Sequence, residues 1–159
     1  MAELRALVAG LGYRDVATVL QSGNVVFDAD ASASSVATEL EAALAAELGL
    51  DIPVVVRTAA ELKRVVARNP FAGVATDGAR YLVTFLSGRL RPEVARALGH
   101  ADVAPERIAV SGREIFLWLP DGVQRSRATR LLRDDKLGFV ATARNWNTVE
   151  KLLGLVQRG

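Results

Sequence analysis

The stretch TARNWNTVEKL, residues 142–152, sets Arg144, Asn145 and Trp146 in a row just before a run with helical periodicity. A guanidinium, a primary amide and an indole held together can grip a ligand through charge, directed hydrogen bonds and stacking. A second polar group, Gln21, Ser22 and Asn24, stands where two β-rich runs meet in ATVLQSGNVVFDA. These six residues are the candidate ligand-binding set. Each cluster also has an architectural reading. Asn147 with Glu150 three positions later forms an Asn version of the capping box: Asn147 accepts from a backbone N–H, Glu150 reaches back, and Trp146 packs on the helix it introduces. Gly23 and Asn24 suit the positive φ of a tight turn.

Few other chemistries remain. The chain has no cysteine and one histidine, His100, which reads as a surface loop residue. Disulfides, thiolate nucleophiles and Cys- or His-built metal centres are therefore excluded, and neither a metal nor a cofactor is expected. No glycine-rich phosphate loop ending in Lys-Ser/Thr and no G-x-S-x-G turn occurs. Asp134 and Asp135 are adjacent on an expected helix, so they project about 100° apart and form no obvious acid–base pair. An enzyme would have to work with Arg, Asn and Ser alone.

Charge is unevenly distributed. Residues 1–79 hold 6 Lys+Arg against 10 Asp+Glu, and residues 80–159 hold 14 against 8. A basic half attracts acidic partners, nucleic acid among them. Arg127, Arg130 and Arg133 share one helix flank, and Trp118 and Trp146 could stack on bases. However, RIAVSGREIFLWLP lacks the aromatic-basic pattern of sheet-face RNA binders, and a solvated arginine surface is the simpler reading.

The elements that must position these residues follow from periodicity. Leu4, Leu7, Val8 and Leu11 recur at helical spacing before Gly10 and Gly12. Residues 18–21 and 25–27 form a hairpin, residues 35–48 a helix capped by Ser34 or Ser35, DIPVVVRT a strand, and residues 59–67 a helix. RNPFAGVATDGAR reads as a linker. The second half then repeats the first: RPEVARALG answers MAELRALVAG, ERIAVSGREIFLWLP answers the first hairpin, and SRATRLLRDDKLG answers the helix at 35–48. Glu3 to Glu93 spans 90 residues and Ser22 to Ser111 spans 89. Both hairpins are expected to share one Ser-Gly turn, Gly23 matching Gly112.

In the second half, YLVTFLSGR supplies an apolar strand at 81–87 ahead of the helix at 91–98. That half reads β-α-β-β-α followed by an extended piece near 141–144, the ferredoxin-like unit. Ninety residues earlier the matching first strand would fall before Met1. The expected fold class is α+β, two ferredoxin-like (βαββαβ) halves in tandem, the first missing its initial strand. Residues 1–67 are the truncated first half, 68–80 the linker, and 81–159 the second half with a terminal helix. The loss would leave residues 54–56 with no strand beside the hairpin.

QSGNVVF (21–27), NPF (69–71) and TARNWNTVEKL (142–152), in this order, resemble the bacterial family called domain of unknown function 1697, and the similarity runs along the whole chain. The resemblance implies a pair of ferredoxin-like subdomains. It also implies an extra first strand and a turn like Arg-Gly-Ile-Asn-Gly-Gly, which this sequence lacks. It implies no established activity.

The length of 159 residues, with 50% apolar and 24% charged residues, suits one average domain or two small ones. Charge begins at Glu3, no signal-peptide pattern precedes it, and no run reaches the roughly eighteen uncharged apolar residues of a membrane span. A soluble cytoplasmic protein without a membrane partner is expected, its oligomeric state open. The function expected is a small-molecule or partner-binding module. The alternatives are an enzyme using the Arg144/Asn145/Trp146 surface and a nucleic-acid binder using the basic second half.

Overall fold

The computed structural model describes residues 1–19, 23–133 and 137–157. The chain forms two units. The first comprises Met1–Lys63 with Lys151–Gly159, and the second Arg64–Glu150. The stretch 68–80, read as a linker, thus lies inside the second unit. Among the described residues there are two sheets, six α-helices and one 3-10 turn, a mixed α+β architecture.

In the first unit, α1 (Ala2–Gly10) leads into strands β1 (Arg14–Val19) and β2 (Asn24–Asp28), which pair antiparallel. The register shifts between Arg14 and Ala17, where Asp15 takes a φ of 52°, so a bulge bends β1. α2 (Ala33–Leu48) starts at Ser32, whose hydroxyl accepts from the Ser35 N–H, and ends at Gly49 with a φ of 65°. The cap is therefore Ser32 and not Ser34 or Ser35, because the helix begins two residues further upstream, at Ala33, than its apolar spacing suggests. Leu7, Val8, Val36, Leu40, Ala43 and Leu44 form the core, with Val16, Val25, Phe27, Val54 and Val56 packed on it. Tyr13 stacks on Phe27 at 4.7 Å and donates its hydroxyl hydrogen to Glu39.

DIPVVVRT is not a strand: residues 51–58 lie in no sheet. Its valines are held by the core instead, and the Val54 N–H donates to Glu41 Oε1 at 2.8 Å. β propensity brings a chain to extended form, but a strand also requires a neighbour with free backbone groups beside it. α3 (Ala59–Ala67) opens on a reciprocal capping box: Thr58 N–H donates to Glu61 Oε2 at 2.8 Å, and Glu61 N–H to Thr58 Oγ1 at 3.2 Å.

The second unit contains β3 (Tyr81–Leu86), α4 (Pro92–Gly99), β4 (Arg107–Ser111), β5 (Glu114–Trp118), α5 (Arg127–Arg130) and β6 (Ala141–Asn145), after which α6 (Trp146–Val156) begins. Its sheet has the order β4-β5-β3-β6, every pair antiparallel. One sheet face packs on Leu86, Leu90, Leu98, Val103, Ile115, Leu117, Leu119, Ala128 and Leu137. The expected helix at 127–137 is described only over Arg127–Arg130, and Asp134 and Asp135 lie outside the described residues.

β4 and β5 close at Ser111 opposite Glu114, leaving two loop residues with Gly112 first, at a φ of 61°. In the first hairpin Val19 pairs with Asn24, and Gly23, at a φ of 76°, directly precedes β2. Gly112 thus lies two residues before its strand β5 and Gly23 one before β2, while Ser22 of the expected common Ser-Gly turn lies outside the described residues.

Backbone pairing should set local stability. Hydrogen exchange is expected to be faster at residues 54–56, which lie in no sheet, than at residues 82–85 in the centre of the four-stranded sheet. Equal protection at both places would show that residues 54–56 find strand partners in solution.

Candidate functional site

The sequence candidates fall in both units. Gln21 and Ser22 lie outside the described residues. Asn24, in the first unit, is 8% exposed, and its Nδ2 donates to the Val19 carbonyl at 3.2 Å across the mouth of the hairpin. That bond ties the side chain to closing the turn.

In the second unit the chain passes from β6 into α6 without a loop. Asn145 Oδ1 accepts the Thr148 N–H at 2.9 Å, so Asn145 is the helix cap. The assignment of that role to Asn147 and Glu150 is corrected accordingly. β6 keeps the backbone extended through Asn145, which puts Asn147 inside the first turn, exposed. A Cβ placed on Gly78 would fall 2.1 Å from Asn147 Oδ1, so Asn147 occupies space that only glycine leaves open. Glu150 accepts from Trp146 Nε1 at 3.0 Å.

Trp146 is 9% exposed and stacks on Tyr81, with ring centroids 4.8 Å apart and planes 20° apart. Tyr81 also meets Phe71 at 6.0 Å and Phe116 at 6.4 Å, which makes it the centre of the aromatic packing described here. Its hydroxyl donates to Asn69 Oδ1 at 2.5 Å, and the same oxygen accepts the Phe71 N–H at 3.1 Å. The NPF motif is therefore a knot: Asn69 folds the chain so that Phe71 turns onto Tyr81. Burial pushes the Tyr81 phenol well above the ordinary tyrosine range, partly opposed by the Phe71 N–H. Tyr13 is raised to about 12, first by its hydrogen bond to Glu39.

Arg144 is the sequence candidate that carries a charge. It lies on β6, at the end of the sheet order, opposite Val83 and hence on the sheet face of Val83 and Phe116. Its Nη1 donates to Thr142 Oγ1 at 2.7 Å and to the Ala143 carbonyl at 2.8 Å. Half-burial pulls its pKa below arginine's usual value through desolvation, although a guanidinium stays charged at any working pH. On the same face, Phe85 is flanked by Thr142 and Glu114. The Glu114 side chain is 5% exposed, with Arg68 Nη2 3.6 Å away; Arg68 Nη1 also donates to Ser111 Oγ at 3.2 Å. Sequence reading missed Arg68 and Glu114. Their signal is faint: an acidic residue opening an apolar strand, EIFLW, that pairs with another apolar strand.

Among the described residues no group of three or more acidic or histidine side chains could hold a metal, and no helix is long and apolar enough to cross a membrane. The fold and this polar sheet face define a small mixed α+β protein with its charged groups set on one face of a four-stranded sheet. The family model described as "Protein of unknown function (DUF1697)" matches residues 1–116, and the chain belongs to that family. No curated protein matches. A solved structure, described as that of the conserved bacterial protein SP0830 from Streptococcus pneumoniae, is similar over 99% of this chain and 88% of that one, with a TM-score of 0.76 and 20% identity. That likeness concerns the fold.

The cap assignment has a direct test. Asn145→Ala should destabilise the protein by about 0.5–2 kcal/mol, as cap removals do, and Asn147→Ala, on the exposed side of the first turn, should change stability by less than about 0.5 kcal/mol. Urea denaturation of both variants decides between the two assignments. A second expectation concerns pH. Both tyrosines are raised, so the native protein should resist tyrosinate formation at pH 10 while the unfolded chain ionises near its ordinary value of about 10. A raised folded pKa stabilises below the unfolded pKa and is lost as pH rises through the folded one, so stability should fall above about pH 10. Tyr81→Phe should flatten that fall, measured as denaturation midpoint against pH.

Proposed function

We propose that this protein is a binding module that takes a small anionic molecule at Arg144, with Thr142 and the Arg68–Glu114 pair on the same sheet face. The observation that carries this reading is the half-buried guanidinium of Arg144, whose pKa burial depresses. Desolvating a permanent charge is unfavourable, and charged groups kept in that condition are concentrated at sites that meet ligands. A guanidinium matches carboxylate or phosphate through two parallel hydrogen bonds. Asn145, Trp146 and Asn24 act in this reading as supports that hold Arg144's strand and the first hairpin in shape.

A thermal-shift screen with inorganic phosphate, nucleotides and small carboxylic acids tests the proposal. At least one anion should raise the melting temperature of the wild type and not that of Arg144→Gln, with Arg144→Lys restoring little, because an ammonium cannot replace the planar fork. Equal stabilisation of wild type and Arg144→Gln would overturn it. Binding of single-stranded nucleic acid with a steep salt dependence, abolished by changes at Arg127, Arg130 and Arg133 but not at Arg144, would favour the nucleic-acid alternative.

We also infer a tandem repeat of one ferredoxin-like unit, with the first copy lacking a counterpart of β3, in a protein of the cytoplasm. What supports the repeat is element order: α1, β1, β2, α2, residues 53–57 and α3 correspond in sequence to α4, β4, β5, α5, β6 and α6. Ala2 and Pro92, which open α1 and α4, are 90 residues apart, as are Asn24 and Glu114, which open β2 and β5. On this reading residues 53–57 are extended yet in no strand because β6, their counterpart, pairs with β3 alone. An experimental structure with residues 53–57 paired directly to β2 would end it. The cytoplasmic assignment is supported by the cysteine-free composition.

A further inference from the structure

The face of the four-stranded sheet opposite Arg144 contains a cavity of about 190 Å³, lined by Leu82, Thr84, Leu117, Thr129, Leu132, Ala141 and Ala143. Its origin lies in residue size. Thr84 pairs with Ala143, and Leu86 with Ala141, so on this face β6 offers two methyl groups, whereas β5, on the other side of β3, offers Ile115 opposite Thr84 and Leu117 opposite Leu82. The small side chains of β6 leave room on this face.

Thr84 gives this space chemical character. It is 4% exposed, in the middle of the sheet, and among the described residues its hydroxyl has no hydrogen-bonding partner. Among the described residues no buried side-chain oxygen is shut off from both a partner and open space, so the Thr84 hydroxyl opens onto the cavity it lines. Thr129, the other hydroxyl at the wall, donates to the Ser126 carbonyl at 3.2 Å and is thereby satisfied. A hydroxyl that opens onto the cavity without a protein partner is placed to hydrogen-bond a ligand group held there.

We propose that this cavity is a binding site for a neutral, mostly apolar molecule of about one ring or one branched chain, with a hydroxyl or carbonyl that hydrogen-bonds Thr84. The volume fits, since an apolar cavity of roughly 150 Å³ accepts benzene. Among the described residues the walls carry no charged side chain, which suits a neutral ligand. The site lies on the opposite sheet face from Arg144 and does not depend on the anion reading.

Phenol, toluene and benzoate, titrated separately into the isotope-labelled full chain, form the test. Phenol should shift the amides of Thr84, Leu117 and Ala143 and bind about 2- to 10-fold more tightly than toluene, the range one neutral hydrogen bond supplies; benzoate should not bind there. Thr84→Val should remove the preference for phenol over toluene while leaving toluene binding intact. Ala143→Leu should fill the cavity and abolish binding of both. Absence of phenol binding to the wild type, a phenol preference that survives Thr84→Val, or binding that survives Ala143→Leu would each overturn the proposal. Because Thr84→Val is nearly isosteric, it remains informative if Ala143→Leu fails to fold.

Discussion

The second unit depends on one strand having neighbours on both edges and side chains packed on both faces. β3 pairs with β5 along one edge and β6 along the other, and five of its six residues are buried. Burying a large apolar side chain contributes about 1.5–3 kcal/mol, so Tyr81, Val83, Phe85 and Leu86 together anchor the unit against the entropy of ordering it. Besides the Tyr81 hydroxyl, the strand's one polar side chain is Thr84, and its backbone groups pair within the sheet.

Alternation along β3 then separates two environments. Tyr81, Val83 and Phe85 point to the side where Trp146 stacks and where Glu114, Thr142 and Arg144 stand at flanking positions. Leu82, Thr84 and Leu86 point to the side of the aliphatic core. The charged groups therefore gather on the aromatic face, while the aliphatic face holds a single unpartnered hydroxyl over small residues. The two faces differ in chemistry because side chains alternate with a period of two.

The first unit shows what happens without such a strand among its described residues. Its sheet has two strands, and the valines at 54 and 56 rest on the core with a carboxylate, Glu41, serving the Val54 N–H. A two-stranded ribbon is marginal alone, and here α1 and α2 supply the apolar cover that holds it.

Much of the architecture was legible in local pattern. Helical spacing located α1, α3 and α4, and apolar runs located β3 and β5. These are properties of neighbours in sequence, so sequence by itself determines them. The site was less legible. Trp146 could be placed before a helix, but only tertiary packing decided that its ring stacks on Tyr81. The cap moved from Asn147 to Asn145 because β6 keeps its partner β3 through Asn145, a pairing 63 residues away in sequence (Leu82 to Asn145). DIPVVVRT had the propensity of a strand but no partner, and Thr84 looked like any β-branched strand residue until Ala141 and Ala143 were set beside it. Propensity and periodicity are local quantities; hydrogen-bond partners, burial and cavities depend on which distant segments meet, and that was decided only by the fold.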